Sequence, residues 1–78
     1  MPLIQIDGIL DARGLACPVP IDTAADAMRT MTSGETLEVI STDARSVQDF
    51  ALWSRRTGNP LLEASSDAAT YRFVVRKA

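Results

Sequence analysis

The stretch whose residue types and spacing bear on chemistry is Cys17-Pro18-Val19-Pro20, a cysteine followed by two prolines at alternate positions. A thiolate is a nucleophile, and how much of it is present follows the thiol's pKa. Pro is favoured at the first helical position, because the N–H it lacks would have no intrahelical partner there. Pro18 is therefore expected at N1 and Cys17 at the N-cap. Pro20 falls in the same first turn, where a ring removes no hydrogen bond. A helix start carries roughly half a positive charge and unpaired N–H groups, and both favour a thiolate. With two prolines unable to donate, the free N–H groups near the sulfur are expected to be those of Val19 and Ile21, and the thiol pKa is expected to be depressed. Arg13 is placed to add positive charge. Gly14 is placed to supply a positive φ that turns the loop back over the helix start.

The chain holds one cysteine and no histidine. An internal disulfide, dithiol redox chemistry, His-based metal sites and Ser-His or Cys-His catalytic pairs are all excluded. What survives is carrier chemistry: a lone exposed thiolate attacks a sulfur donor and holds the transferred atom as a persulfide, with no neighbour to close a disulfide. The competing reading of a free cysteine is a small buried hydrophobe. A position between a loop and a helix start, flanked by prolines, favours the reactive reading.

These residues need elements to hold them. Ile4, Ile6 and Leu10 alternate along Ile4–Leu10, which predicts a first strand. From Pro18 to Met31 the residues Ile21, Ala24, Ala25, Met28 and Met31 share a helix face, and Ser33-Gly34 follows as the stop. Residues 35–41 read as a second strand, with Leu37 and Val39 inward. Asp43, or Ser46 as its rival, is the expected N-cap of a second helix with Val47, Phe50 and Ala51 as its stripe. Arg55 and Arg56 fall in its last turn, where they suit the dipole, and Gly58 follows. Trp53 on the helix edge reads as partial core. Residues 61–66 and 70–77 form two further strands around a short turn at 67–69, with Tyr71, Phe73 and Val75 inward. The order predicts one domain over residues 1–78 of the α+β class. It is a two-layer sandwich, βαβαββ, with the first two strands parallel and both helices on one face of a four-stranded sheet. The other face is expected to carry Glu38, Glu63, Arg72 and Arg76.

Size and charge narrow the partners. A chain of 78 residues buries only about 60–65% of its unfolded surface, too little for a deep private active site. The formal charge is −2 and no Lys or Arg run exceeds a pair, which argues against direct nucleic-acid binding. A lone cysteine, the lack of an apolar span and the lack of a secretory leader pattern place it in the cytoplasm, away from membranes.

The segment also resembles the TusA/SirA-like small sulfur carriers. That family shows an acidic residue and Gly-Leu ahead of a Cys-Pro-x-Pro element opening the first helix, matched here by Asp11, Gly14, Leu15, Cys17, Pro18 and Pro20. Ser33-Gly34-Glu35-Thr36-Leu37, Thr42-Asp43 and Tyr71-Arg72-Phe73 through Arg76-Lys77 look like the family's later elements, so the likeness covers nearly the whole chain. The resemblance implies a mixed four-stranded sheet similar to the C-terminal domain of translation initiation factor three. It also implies that Cys17 takes sulfur from a cysteine desulfurase or rhodanese and hands it to an acceptor protein, for tRNA thiolation, cofactor synthesis or sulfur oxidation. No cofactor is expected, since the sulfur is carried covalently, and the free protein is expected to be a monomer. One departure is Ile21-Asp22-Thr23-Ala24-Ala25-Asp26, where family members often carry basic residues.

Two other readings stand beside it. The same fold could serve as a protein-docking or regulatory module without sulfur transfer, using its open sheet face and acidic helix. A tautomerase-type enzyme would instead use Pro2, exposed by removal of Met1, as a general base.

Overall fold

Alternation along each strand gathers the apolar side chains on one face, and two amphipathic helices close over it. The computed structural model describes residues 5–78. The chain runs β1 (Gly8–Ala12), α1 (Val19–Arg29), β2 (Thr36–Ser41), α2 (Ser46–Thr57), β3 (Leu61–Asp67) and β4 (Thr70–Arg76), in the order the sequence predicts. The sheet order is β1-β2-β4-β3, with β1 parallel to β2 and the other two pairs antiparallel.

The register sets the residues of the helix-facing side in rows, buried at Val39 and Phe73 and exposed at Ala64 on the β3 edge. Leu10 lies opposite Val39, Val39 opposite Phe73, and Phe73 opposite Ala64. Helix α1 packs on β1 and β2, α2 packs on β3 and β4, and the helices touch each other. The core between the layers is Ala12, Ala24, Met28, Leu37, Val39, Phe50, Phe73 and Val75, with Ile21, Ala27, Met31, Trp53, Leu61 and Tyr71 packed at its margin. Trp53 is thus partial core, its ring edge-on to Phe50 at 5.9 Å.

The opposite face is uncovered, and Val74 is nevertheless fully buried there. Its cross-strand neighbours are Glu38 and Glu63. Arg72, two residues before Val74 on the same face, bonds Glu38 at 2.9 Å and Glu63 on the other side. The aliphatic stems of this charged trio roof the valine. Arg76 remains exposed.

Several boundaries move. β1 runs Gly8–Ala12 rather than Ile4–Leu10. Ile4 lies outside the described residues, as does Pro2, while Ala12 turns inward opposite Ser41, where only a small side chain is needed to complete the core. Helix α1 starts at Val19 with Pro18 as N-cap and Pro20 in the first turn. The reason is that Val19 N–H donates to Ala16 O at 2.9 Å, a turn that precedes the helix. The same helix ends at Arg29, short of Met31, where Thr30 Oγ1 donates to Ala27 O at 3.2 Å. Helix α2 has Arg45 as N-cap rather than Asp43 or Ser46. Its C-terminus is as expected, with Arg55 and Arg56 in the last turn and Gly58 at φ 79°.

Candidate functional site

Because β1 and β2 are parallel and Ala12 pairs with Ser41, both strands end at the same edge of the sheet, and both helices start there. The loop that follows β1 carries Cys17 and the loop that follows β2 carries Thr42 and Asp43. Open α/β sheets place their reactive groups at such edges, where strand ends and helix starts converge.

Hydrogen bonds tie the two loops together. Gly14, at φ 81°, adopts the left-handed turn the sequence predicts, and its N–H donates to Thr42 Oγ1 at 2.9 Å. Cys17 N–H donates to Asp43 Oδ2 at 2.9 Å. The other Asp43 oxygen accepts Arg45 N–H at 2.9 Å, and the Arg45 guanidinium closes on the same carboxylate. These donors hold the Asp43 carboxyl far below the ordinary carboxylate range.

The sulfur itself is half-buried. Its hydrogen-bond partner is Ser46 Oγ at 3.3 Å, on the first residue of α2. Ser46 Oγ lies 2.7 Å from Ser41 Oγ, and Ser41 Oγ accepts Asp43 N–H at 3.1 Å. Ser41 and Ser46 are both fully buried. The thiol therefore sits at the start of α2 as much as at the start of α1.

Three expectations about its electrostatics are corrected. The thiol pKa is raised, not depressed: burial pushes it up most, the Asp49 and Asp43 carboxylates push in the same direction, and the Ser46 hydroxyl alone pulls it down. Arg13 does not serve the sulfur. It pairs with Asp11 through Nε at 2.9 Å and Nη2 at 2.8 Å, and holds that carboxyl down to about 2. Nor is Val19 N–H free for the sulfur, since Ala16 O accepts it.

Of the residues singled out in the sequence, Cys17, Gly14 and Pro18 come together at the edge. Pro20 is buried beneath it, Leu15 and Val19 are exposed on either side, and Asp11 and Arg13 form a separate surface pair. Sequence reasoning missed Ser41, Ser46 and Asp49 as neighbours of the sulfur, and placed Val47 inward although it is 47% exposed. The available signal was the parallel pairing itself, which predicts that whatever follows the second strand faces whatever follows the first. Among the described residues no cluster of His, Cys, Asp and Glu could hold a metal, and no helix is long and apolar enough to cross a membrane. Large apolar side chains left exposed around the edge are Leu15, Val19, Val47 and Leu52, and Leu52 shares a shallow groove with Pro18, Ile21 and Trp53.

The pattern of the family described as Sulfurtransferase TusA matches residues 8–77. The chain is 40% identical over 76 residues to a protein named Sulfur carrier protein TusA from Allochromatium vinosum, a match covering 97% of this chain and 100% of that one. It is 36% identical over 73 residues to a protein of the same name from Pseudomonas aeruginosa, covering 94% and 92% respectively. Among solved structures, a SirA-like protein from Desulfitobacterium hafniense shares the fold with a TM-score of 0.77 at 21% identity, over 88% of this chain and 95% of that one.

Proposed function

The chain belongs to the sulfurtransferase TusA family of small sulfur carriers, and from that premise we propose that Cys17 accepts sulfane sulfur as a persulfide from one protein and delivers it to another. The observation that carries this reading is a solitary, half-buried thiol at the meeting point of two helix starts. Loading breaks the S–S bond of a donor persulfide: the Cys17 thiolate attacks the outer sulfur, a new S–S bond forms on Sγ, and the donor cysteine leaves as its thiolate. Delivery is the same displacement run onto an acceptor thiolate, with Cys17 Sγ as the leaving group. No electrons are gained or lost overall.

A donor of the cysteine desulfurase or rhodanese type and an acceptor protein complete the relay. The exposed apolar side chains around the sulfur supply a docking collar for them. The cargo is covalent, so the reading needs no cofactor, and a reducing cytoplasm suits a thiol that must stay free. A protonated resting thiol fits a carrier that waits for its donor, because the thiolate is the form that reacts with adventitious oxidants.

The test is intact-mass analysis after incubation with a cysteine desulfurase or rhodanese and its sulfur source. The expected result is a gain of one sulfur atom that reductant removes and that Cys17→Ser abolishes. If several competent donors leave the mass unchanged, and a Cys17→Ser strain keeps the cellular function, the fold is acting as a docking module instead.

A further inference from the structure

Two buried hydroxyls and a partly buried backbone N–H behind the sulfur form a chain whose direction is determined. Asp43 N–H can only donate, so Ser41 Oγ accepts from it at 3.1 Å. Ser41 then has one hydroxyl proton to place, and the oxygen that can take it is Ser46 Oγ at 2.7 Å. Running that bond the other way would leave the buried Ser41 proton without an acceptor, a penalty of about 1–3 kcal/mol. Having accepted from Ser41, Ser46 has its own proton free for the sulfur at 3.3 Å. Direction becomes obligatory when the cysteine is loaded or departing. In a persulfide or a thiolate Sγ carries no hydrogen, so it can only accept.

We propose that Ser46, held by Ser41, is a catalytic hydrogen-bond donor that stabilises Cys17 Sγ as the leaving group when the carried sulfur is handed over. The inference rests on the carrier reading above. In the delivery step an incoming nucleophile bonds the outer sulfur, the Sγ–S bond breaks, and its electron pair stays on Sγ as a thiolate. A hydrogen bond to that developing anion is stronger than one to the neutral persulfide sulfur, so it lowers the barrier rather than merely holding the ground state. Burial makes the donor count, because water cannot replace it. The charged groups that face the sulfur are Asp43, Asp49 and Arg45. Asp43 is paired with Arg45, and both Asp49 and Asp43 still oppose the anion. Against that opposition the serine hydroxyl is the side-chain donor in contact with Sγ.

The test separates this step from docking by using small reagents. Protein loaded with sodium polysulfide is mixed with cyanide, which takes the outer sulfur as thiocyanate and leaves the Cys17 thiolate, and thiocyanate release is timed. Ser46→Ala is expected to slow release about tenfold, less than the effect of losing an oxyanion donor, because sulfur is a softer acceptor. Ser41→Ala, which removes only the anchor, is expected to slow it less, and Ser46→Thr to restore it. In unloaded protein the pH profile of iodoacetamide alkylation should move to higher pH in Ser46→Ala and return in Ser46→Thr, a readout that a purely structural serine would not shift. A Ser46→Ala protein that melts cooperatively, releases thiocyanate at the wild-type rate and keeps the wild-type alkylation profile overturns the proposal. Failure of wild type to load counts against the carrier reading alone, since the alkylation profile still decides the role of Ser46.

Discussion

Replacing Phe50 by leucine tests whether the contact between α2 and β4 is where this small domain keeps its stability. Phe50 is fully buried, stacked on Phe73 with ring centres 4.6 Å apart and planes at 22°, and edge-on to Trp53 at 5.9 Å and 82°. Each aromatic pair contributes about 0.5–1.5 kcal/mol beyond the area it buries. Leucine keeps most of the transfer free energy but leaves a void that adds roughly 1 kcal/mol. The combined loss is about 2–4 kcal/mol, against a total of about 4–12 kcal/mol for a domain of this size. Phe50→Leu should therefore fold and melt roughly 8–32 °C lower. Thermal melts and urea titrations followed by circular dichroism read this as a lower midpoint with an unchanged urea slope. Alkylation of Cys17 in the folded variant at 25 °C should match wild type, because the sulfur's hydrogen bonds come from Ser46 and Asp43 and not from the ring. A loss below about 0.5 kcal/mol, the range of an ordinary surface substitution, would refute the packing argument.

Other predictions follow from the same geometry. Asp49→Asn removes a carboxylate that pushes the Cys17 thiol up, so its alkylation profile should move to lower pH; an unmoved profile would show that Asp49 does not act on the thiol. Asp43 and Asp11 have their carboxyls held below the unfolded value. Their contribution to stability is thus present at neutral pH and lost as pH falls through the acid range, and Asp43→Asn should flatten the urea midpoint between pH 5 and 2. At Gly14 a Cβ would meet nothing within 4 Å, but φ is +81°, so Gly14→Ala should cost about 1 kcal/mol from backbone strain alone, measurable as a shifted urea midpoint.

All six elements were legible in order because their periodicities are distinct: Leu37 and Val39 alternate, while Ala24 and Met28 recur at helical spacing. What stayed hidden depended on partners far along the chain. Ala12 is buried because Ser41 lies opposite it, and its own side chain gives little sign of a strand. Ser46 points inward and Val47 outward, the reverse of a hydrophobicity rule, because the Ser41 hydroxyl and the Cys17 sulfur satisfy the serine. Arg13 lies near the cysteine in sequence, but Asp11, two residues before it, holds its guanidinium. The direction of the thiol's shift depends on the fold for a related reason. A helix start favours the anion, but burial outweighs it, with the Asp49 and Asp43 carboxylates pushing the same way, and these surroundings are assembled only by the fold.

The two side-chain ties from Gly14 to Thr42 and from Cys17 to Asp43 make the loops after β1 and β2 a single inherited unit. Transplanting the cysteine-bearing segment into a relative would fail to reproduce its reactivity unless residues 42–46 travelled with it. A chimera exchanging both segments together should keep the donor behaviour of its parent, whereas one exchanging either alone would hold its sulfur in a mismatched cradle.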